Sequence, residues 1–172
     1  MSIPLNRLTF IVAFLLLFTP MPGRADSYPL PAAGTVVKVI DGDTLRVVIK
    51  GKKEKVRLLG IDTPEVTGPY TKAEPFGTEA STYTKTVAGG KEVMLLFEGE
   101  TKRDRYGRLL AHVILPDGTT LNERLLAAGL ARYYRKFKYS RKKRYQLLER
   151  SARDRCVGMW AVTKKCRKQL PQ

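Results

Sequence analysis

Gly34-Thr35-Val36-Val37-Lys38-Val39-Ile40-Asp41-Gly42-Asp43-Thr44-Leu45-Arg46-Val47-Val48-Ile49-Lys50-Gly51-Lys52-Lys53-Glu54-Lys55-Val56-Arg57-Leu58-Leu59 is rich in β-branched residues and alternates in places. Val37 and Val39, then Leu45, Val47 and Ile49, then Val56 and Leu58 recur every second residue, which is the spacing of one face of a strand. Asp41-Gly42 and Gly51-Lys52 punctuate the stretch as tight turns. Three short antiparallel strands follow from this pattern.

Outward from that stretch the period changes. Over residues 74–87, Phe76, Ala80, Tyr83 and Val87 fall on one helical face, and Gly89-Gly90 ends the helix. Strand character returns at residues 92–97 and 109–115, separated by a polar loop over 99–107 and closed by Pro116-Asp117-Gly118. Thr120 can cap a second helix that carries Leu121, Leu125 and Leu126 and stops at Gly129. A third runs over about 140–155, with Tyr145, Leu148, Ala152 and Cys156 as an apolar stripe under a dense Lys/Arg face. Five short strands, with a helix after the third and more at the end, suit an α+β fold. The expectation is a five-stranded OB-type β-barrel with about three helices, an architecture that often holds nucleic acid on its outer face.

The 172 residues are enough for one compact core. Lys and Arg number 32 against 16 Asp and Glu, a formal charge of +16 that favours polyanionic partners or serves as a solvated surface. Residues 1–25 read as a signal peptide: Arg7 precedes the apolar run 8–18, and Gly23-Arg24-Ala25 is a small-residue exit. A membrane anchor is the competing reading, but a spanning helix needs roughly 20 apolar residues. Removing Arg7 and Arg24 still leaves about +14, so the basic character belongs to the mature chain. The expected organisation is a signal peptide over 1–25, a linker over 26–33, a domain over 34–161 and a basic C-terminal tail over 162–172. No stable membrane association is expected after cleavage, and the expected place is outside the cytoplasm, secreted or periplasmic.

An exported chain meets oxidising conditions, where Cys156 and Cys166 can pair or remain two free thiols. A bridge closing so short a loop contributes at most about 3 kcal/mol, so it would pin the tail rather than the core. With one histidine and both cysteines remote from the acidic motifs, zinc has too few nitrogen or sulfur ligands. His112, between Ala111 and Val113 in mid-strand, reads as structural.

Three clusters carry possible chemistry. In Ile40-Asp41-Gly42-Asp43-Thr44, Asp-Gly is an ordinary turn pair, and Asp43 is extra to it. In Val56-Arg57-Leu58-Leu59-Gly60-Ile61-Asp62-Thr63-Pro64-Glu65, a strand ends in two carboxylates and a proline. If these acids converge with Asp43, like charges raise each other's pKa unless a cation sits between them. The third cluster, Arg103-Asp104-Arg105-Tyr106-Gly107-Arg108, enters a strand and is singly an ordinary basic loop.

Taken together the chain resembles the staphylococcal nuclease-like (thermonuclease) family. The blocks that carry the likeness are Asp41-Gly42-Asp43-Thr44, Arg57-Leu58-Leu59, Asp62-Thr63-Pro64-Glu65, Gly77 with Glu79-Ala80-Ser81, Asp104 with Tyr106-Gly107-Arg108, Leu121-Asn122-Glu123, Gly129-Leu130-Ala131 and Gly158-Met159-Trp160. They keep one order and span about 34–161. The resemblance implies a Ca2+ ion bound by Asp43, Asp62 and the backbone carbonyl of Thr63, with water completing the shell and Asp41 in support. Such all-oxygen ligation suits a hard cation. It also implies that Arg57 and Arg108 grip the scissile phosphate and that Glu65 orients and deprotonates the attacking water. The implied activity is calcium-dependent endonuclease hydrolysis of DNA and RNA, with little sequence demand and 3′-phosphate products, by a monomer.

Charge explains why these parts need one another. Asp43, Asp62 and Glu65 outnumber the two guanidiniums by one, which would repel a phosphodiester, and a divalent ion reverses that sign. A non-catalytic nucleic-acid-binding OB-type module is the alternative, distinguished by whether Arg57, Glu65 and Arg108 are present beside the acids. All three are. The run Arg132-Tyr133-Tyr134-Arg135-Lys136-Phe137-Lys138-Tyr139 mixes bases and aromatics as a single-strand binding surface would. Tyr133 and Tyr134 read equally as core residues, and no site is assigned to them.

Overall fold

A computed structural model of the chain describes residues 31–66, 72–99 and 102–167. Its elements in order are β1 (Ala32–Val39), β2 (Thr44–Ile49), β3 (Lys52–Leu58), β4 (Ile61–Asp62), α1 (Gly77–Ala88), β5 (Glu92–Leu96), β6 (Leu109–Ile114), α2 (Leu121–Ala127), β7 (Arg132–Tyr133), α3 (Lys142–Asp154), a 3-10 turn (Gly158–Trp160) and α4 (Lys164–Arg167). Five strands close a barrel in the order β1-β2-β3-β6-β5, and β4 pairs β7 in a separate two-stranded sheet. The chain is therefore an α+β protein on an OB-type barrel. The segment read as a signal peptide lies outside the described residues. Among the described residues no helix is long and apolar enough to cross a membrane.

The alternation in β2 and β3 sends Leu45, Val47, Ile49, Val56 and Leu58 into the barrel, where Val36, Val93, Leu95, Leu109, Ala111 and Val113 meet them. The turn between β2 and β3 is Lys50-Gly51 rather than Gly51-Lys52. Both residues have positive φ (49° and 78°), as a two-residue primed turn requires, and Ile49 pairs with Lys52 across it. In β1 the alternation places Val39 correctly against the core but misplaces Val37. A bulge between Val36 and Lys38 adds one residue, so Val36 is buried while Val37 is exposed. Strand β1 also begins at Ala32, two residues inside the stretch read as linker.

β3 and β6 run parallel, joined by α1 and the β5–β6 hairpin. Helix α1 starts at Gly77, three residues later than the periodicity predicts. Phe76 is left-handed (φ 71°), and the preceding residues are tied elsewhere, with Glu74 N–H donating to the Glu65 carbonyl at 2.9 Å. The buried face of α1 is Gly77, Ala80, Thr84 and Ala88, with Phe76, Tyr83 and Val87 on its flank. Small residues fill that face because the helix lies close against the barrel end.

Helix α3 starts at Lys142 and buries Tyr145 and Ala152 as its stripe predicts, and it also buries Glu149. That carboxylate accepts from Tyr133 N–H at 2.7 Å and pairs with Arg153 at 2.6 Å, so its charge is compensated. Cys156 and Cys166 form a disulfide, which carries α4, within the expected tail, back against the end of α3.

Candidate active site

Four structural pieces meet at the end of the barrel where β1 passes into β2. The Asp41-Gly42-Asp43 turn is held from three sides. Asp43 N–H donates to Asp41 Oδ1 (3.0 Å), Leu58 N–H donates to the Asp43 carbonyl (2.8 Å), and the buried Thr84 hydroxyl of α1 donates to the Gly42 carbonyl (2.7 Å). The sequence suggests Gly42 for its turn conformation, whereas the structure needs it for space. A Cβ there would meet Thr63 Oγ1 at 2.7 Å and Ala80 Cβ at 2.8 Å. The turn is thus wedged between α1 and Thr63, and this fixes Asp43.

Asp43 is buried. Its Oδ2 accepts from Thr63 N–H at 2.8 Å and pairs with Arg57 at 2.7 Å, while its Oδ1 accepts from the Thr44 hydroxyl. Burial pushes its carboxyl up to about 7, and the opposing attraction of Arg57 does not offset it. Arg57 lies at the end of β3, opposite Thr44 in the register. Its guanidinium bridges Asp43 and Asp62 (2.6 Å) and donates to the Ile61 carbonyl at 2.9 Å. One positive charge therefore stands between two carboxylates that the chain separates by 19 positions.

Asp62 reaches this point from β4, which β7 holds through the Asp62–Arg132 register. Glu65 lies just beyond, exposed, in a segment strapped to the start of α1. Glu74 donates its N–H to the Glu65 carbonyl and accepts from Glu65 N–H at 3.3 Å. A Cβ on Gly77 would fall 2.2 Å from that same carbonyl, so only glycine lets α1 approach so closely. Partial desolvation of the otherwise exposed side chain, followed by the charge of Asp41, raises the Glu65 carboxyl, with Asp62 and Glu74 adding to it and Arg57 opposing. The sequence by itself does not mark Glu74 or Gly77 as site residues. The available signal was a glycine immediately after Pro75 and Phe76, at a helix start.

A cleft of about 1230 Å³ opens on this point. Arg57, Asp62, Glu65 and Arg108 all line it. Asp43, paired with Arg57, and Thr63, bonded to Asp43, are outside the lining. Arg108 precedes β6, and its Nε donates to Asp104 Oδ2 at 2.7 Å. The bonds from Arg108 and from Tyr106 N–H hold the Asp104 carboxyl low despite its burial. Tyr106, 67% exposed, shares the cleft with Tyr134 and Phe137, whose rings stack at 5.3 Å. Tyr133 instead packs on the core. His112 stays out of the cleft: it is buried between Tyr145 Oη and Glu98 Oε1, each 2.6 Å away.

Asp43, Asp62 and the Thr63 carbonyl are all hard oxygens, with Asp41 beside them, and they fit calcium or magnesium and not a soft ion. Among the described residues no three His, Cys, Asp or Glu side chains are grouped to hold a metal ion. The expected set asks for two carboxylates, and these two share the Arg57 guanidinium.

The family model described as staphylococcal nuclease homologue matches residues 55–162. Endonuclease YncB of Bacillus subtilis (strain 168) is 37% identical over 129 residues, covering 74% of this chain and 61% of that protein, so the chain spans less than two thirds of it. Thermonuclease of Staphylococcus hyicus is 39% identical over 128 residues, 73% of this chain and 74% of the relative. An uncharacterized endonuclease of Escherichia coli O157:H7 is 34% identical over 138 residues, 78% and 83% of the two. With the barrel, the ordered blocks and these matches together, the chain belongs to the staphylococcal nuclease family.

Proposed function

We propose that this protein is a nuclease that hydrolyses phosphodiester bonds of DNA and RNA with little sequence demand, leaves 3′-phosphate ends, requires calcium, and works as an exported monomer. The observation that carries the reading is that Arg57, Asp62, Glu65 and Arg108 line the same cleft, with Asp43 paired to Arg57. The names endonuclease and thermonuclease borne by its relatives support it. The disulfide and the apolar run over 8–18 support export.

Asp43, Asp62 and the Thr63 carbonyl are the groups that would hold the cation. When bound, it would supply Lewis acidity and the positive charge that the three carboxylates otherwise outweigh. Arg108 has its Nε fixed by Asp104, which leaves its terminal nitrogens for phosphate oxygens. Arg57 can turn its fork to a phosphate only where Asp43 and Asp62 are balanced by another charge. Glu65 takes a proton from the attacking water as the water oxygen bonds to phosphorus, and the P–O5′ bond breaks with its electron pair passing to the 5′ oxygen, which leaves as a hydroxyl after taking a proton from solvent. Partial burial, the largest cause of the upward shift of Glu65, moves it in the direction that favours accepting a proton. Contacts directed to the backbone explain tolerance of base sequence.

Digestion of single-stranded DNA tests this with calcium, with a chelator, and with Glu65→Gln in calcium. Cutting is expected in the first case only, with severe loss in the variant. Equal cutting in chelator refutes the metal requirement, and normal cutting by the variant removes Glu65 from the mechanism. No cutting by the unaltered protein in calcium overturns the nuclease reading.

A further inference from the structure

The positive charge is concentrated in one part of the molecule. Residues 132–167 hold 14 Lys and Arg against only Glu149 and Asp154, and so carry +12 of the chain's +16. Glu149 is turned inward to Tyr133 and Arg153, and Asp154 is shared by Arg150 and Lys165. No ion pair among the described residues involves Arg135, Lys136, Lys138, Lys143, Lys164 or Arg167. Cations held together without counter-charge repel one another and weaken the compact state, so their concentration points to a polyanion that offsets it.

These cations are continuous with the cleft. Lys136 and Lys138 line its rim, and Lys142 Nζ donates to the carbonyls of Arg135 and Phe137, which sets the first turn of α3 against that rim. Lys143, Leu147 and Arg150 then follow at i, i+4 and i+7, one exposed stripe advancing about 10 Å along the helix. At the far end Lys165 reaches Asp154, and the Cys156–Cys166 bond fixes α4 beside α3, bringing Lys164 and Arg167 to the same end. An anionic membrane would call for an apolar face beside the charge, and the outer face of α3 offers Leu147 alone. A narrow track of cations leading out of a cleft suits a chain of phosphates.

We propose that the outer face of α3 together with α4 is a second nucleic-acid-binding surface. It holds the backbone of a long single-stranded polynucleotide beyond the catalytic cleft and gives the protein a preference for long substrates. The identity of the polymer rests on the nuclease reading above. The test uses the full chain with Lys143→Gln, Arg150→Gln, Lys164→Gln and Arg167→Gln combined, all at exposed positions, with an unchanged melting temperature confirming that it folds. Binding of a labelled 30-nucleotide oligothymidylate is followed in chelator by fluorescence anisotropy across a salt series. Cleavage of a four-nucleotide oligothymidylate is followed in calcium.

The variant is expected to bind the 30-mer at least ten-fold more weakly near 0.1 M salt. The slope of log Kd against log salt should fall by up to about 2.8, since each single-strand phosphate contact contributes roughly 0.7. Cleavage of the four-mer should stay unchanged. Equal affinity and slope for the 30-mer overturn the proposal, and so does tighter binding of the unaltered protein to phosphatidylglycerol vesicles than to the 30-mer. Failure of the nuclease reading shows separately as absent four-mer cleavage, while the 30-mer slope by itself supports or overturns the surface.

Discussion

Replacing Gly77 by alanine should cripple catalysis out of proportion to its effect on stability. The added Cβ would lie 2.2 Å from the Glu65 carbonyl oxygen and 2.7 Å from its carbon, against an ordinary contact of at least 3.4 Å. Something must retreat by about 1.2 Å, and both near atoms are backbone, so no side chain can rotate away. The bonds from Glu74 N–H to Glu65 and from Gly77 N–H to Glu74 move with it. Overpacking of this kind costs about 1 to 3 kcal/mol, a fall in melting temperature on the order of 3 to 10 °C. A displacement of about 1 Å at a catalytic group costs on the order of 100-fold in rate. The assay is kcat and KM on single-stranded DNA in calcium, with melting followed in parallel. Gly90→Ala is the matched control: Gly90 has φ 73° with nothing within 4 Å of its added Cβ, so strain there lowers stability without touching Glu65. A folded Gly77→Ala protein with unaltered kcat would refute the strap between α1 and the Glu65 segment.

Other perturbations probe separate parts of the same frame. Thr84→Val removes the hydroxyl that satisfies the buried Gly42 carbonyl and should cost about 1 to 3 kcal/mol in denaturant unfolding, with a smaller loss expected in a Thr84→Ser protein, which keeps the hydroxyl and gives up only a buried methyl. Calcium is expected to raise the melting temperature of the unaltered protein, and Asp43→Asn should abolish that rise, a readout independent of cleavage; an undiminished rise removes Asp43 from the ligand set. His112 is held below its ordinary 6.5 mainly by burial, which outweighs the pull of Glu98. The unfolded chain therefore takes up that proton first, and stability present above pH 6.5 is lost as pH falls towards the folded value. Glu98, held low by bonds from Ser140 and His112 despite burial, adds a loss of the same sign below pH 4.5. Between pH 7.5 and 5.5 the unaltered protein should lose more unfolding free energy than His112→Gln, and equal losses would sink this account.

The sequence alone determined the barrel strands, because a buried strand face must repeat every second residue and Leu45, Val47, Ile49, Val56 and Leu58 do so. It also determined the order of the charged blocks and the hard-oxygen character of the candidate ligands, since these are matters of residue type. Only tertiary structure decided the phase of β1, where one bulged residue reverses inside and outside, and the parallel β3–β6 pairing, which no local pattern encodes. The same holds for the start of α1, where left-handed Phe76 and the tie to Glu65 overrode the helical period. Gly42 and Gly77 look alike in sequence to any turn or helix-start glycine, yet each is required by a backbone or side chain distant along the chain. The bridge from Asp43 through Arg57 to Asp62 is likewise a product of folding. Carboxylates 19 positions apart meet one guanidinium only because the barrel end brings the β1–β2 turn, β3 and β4 to one place.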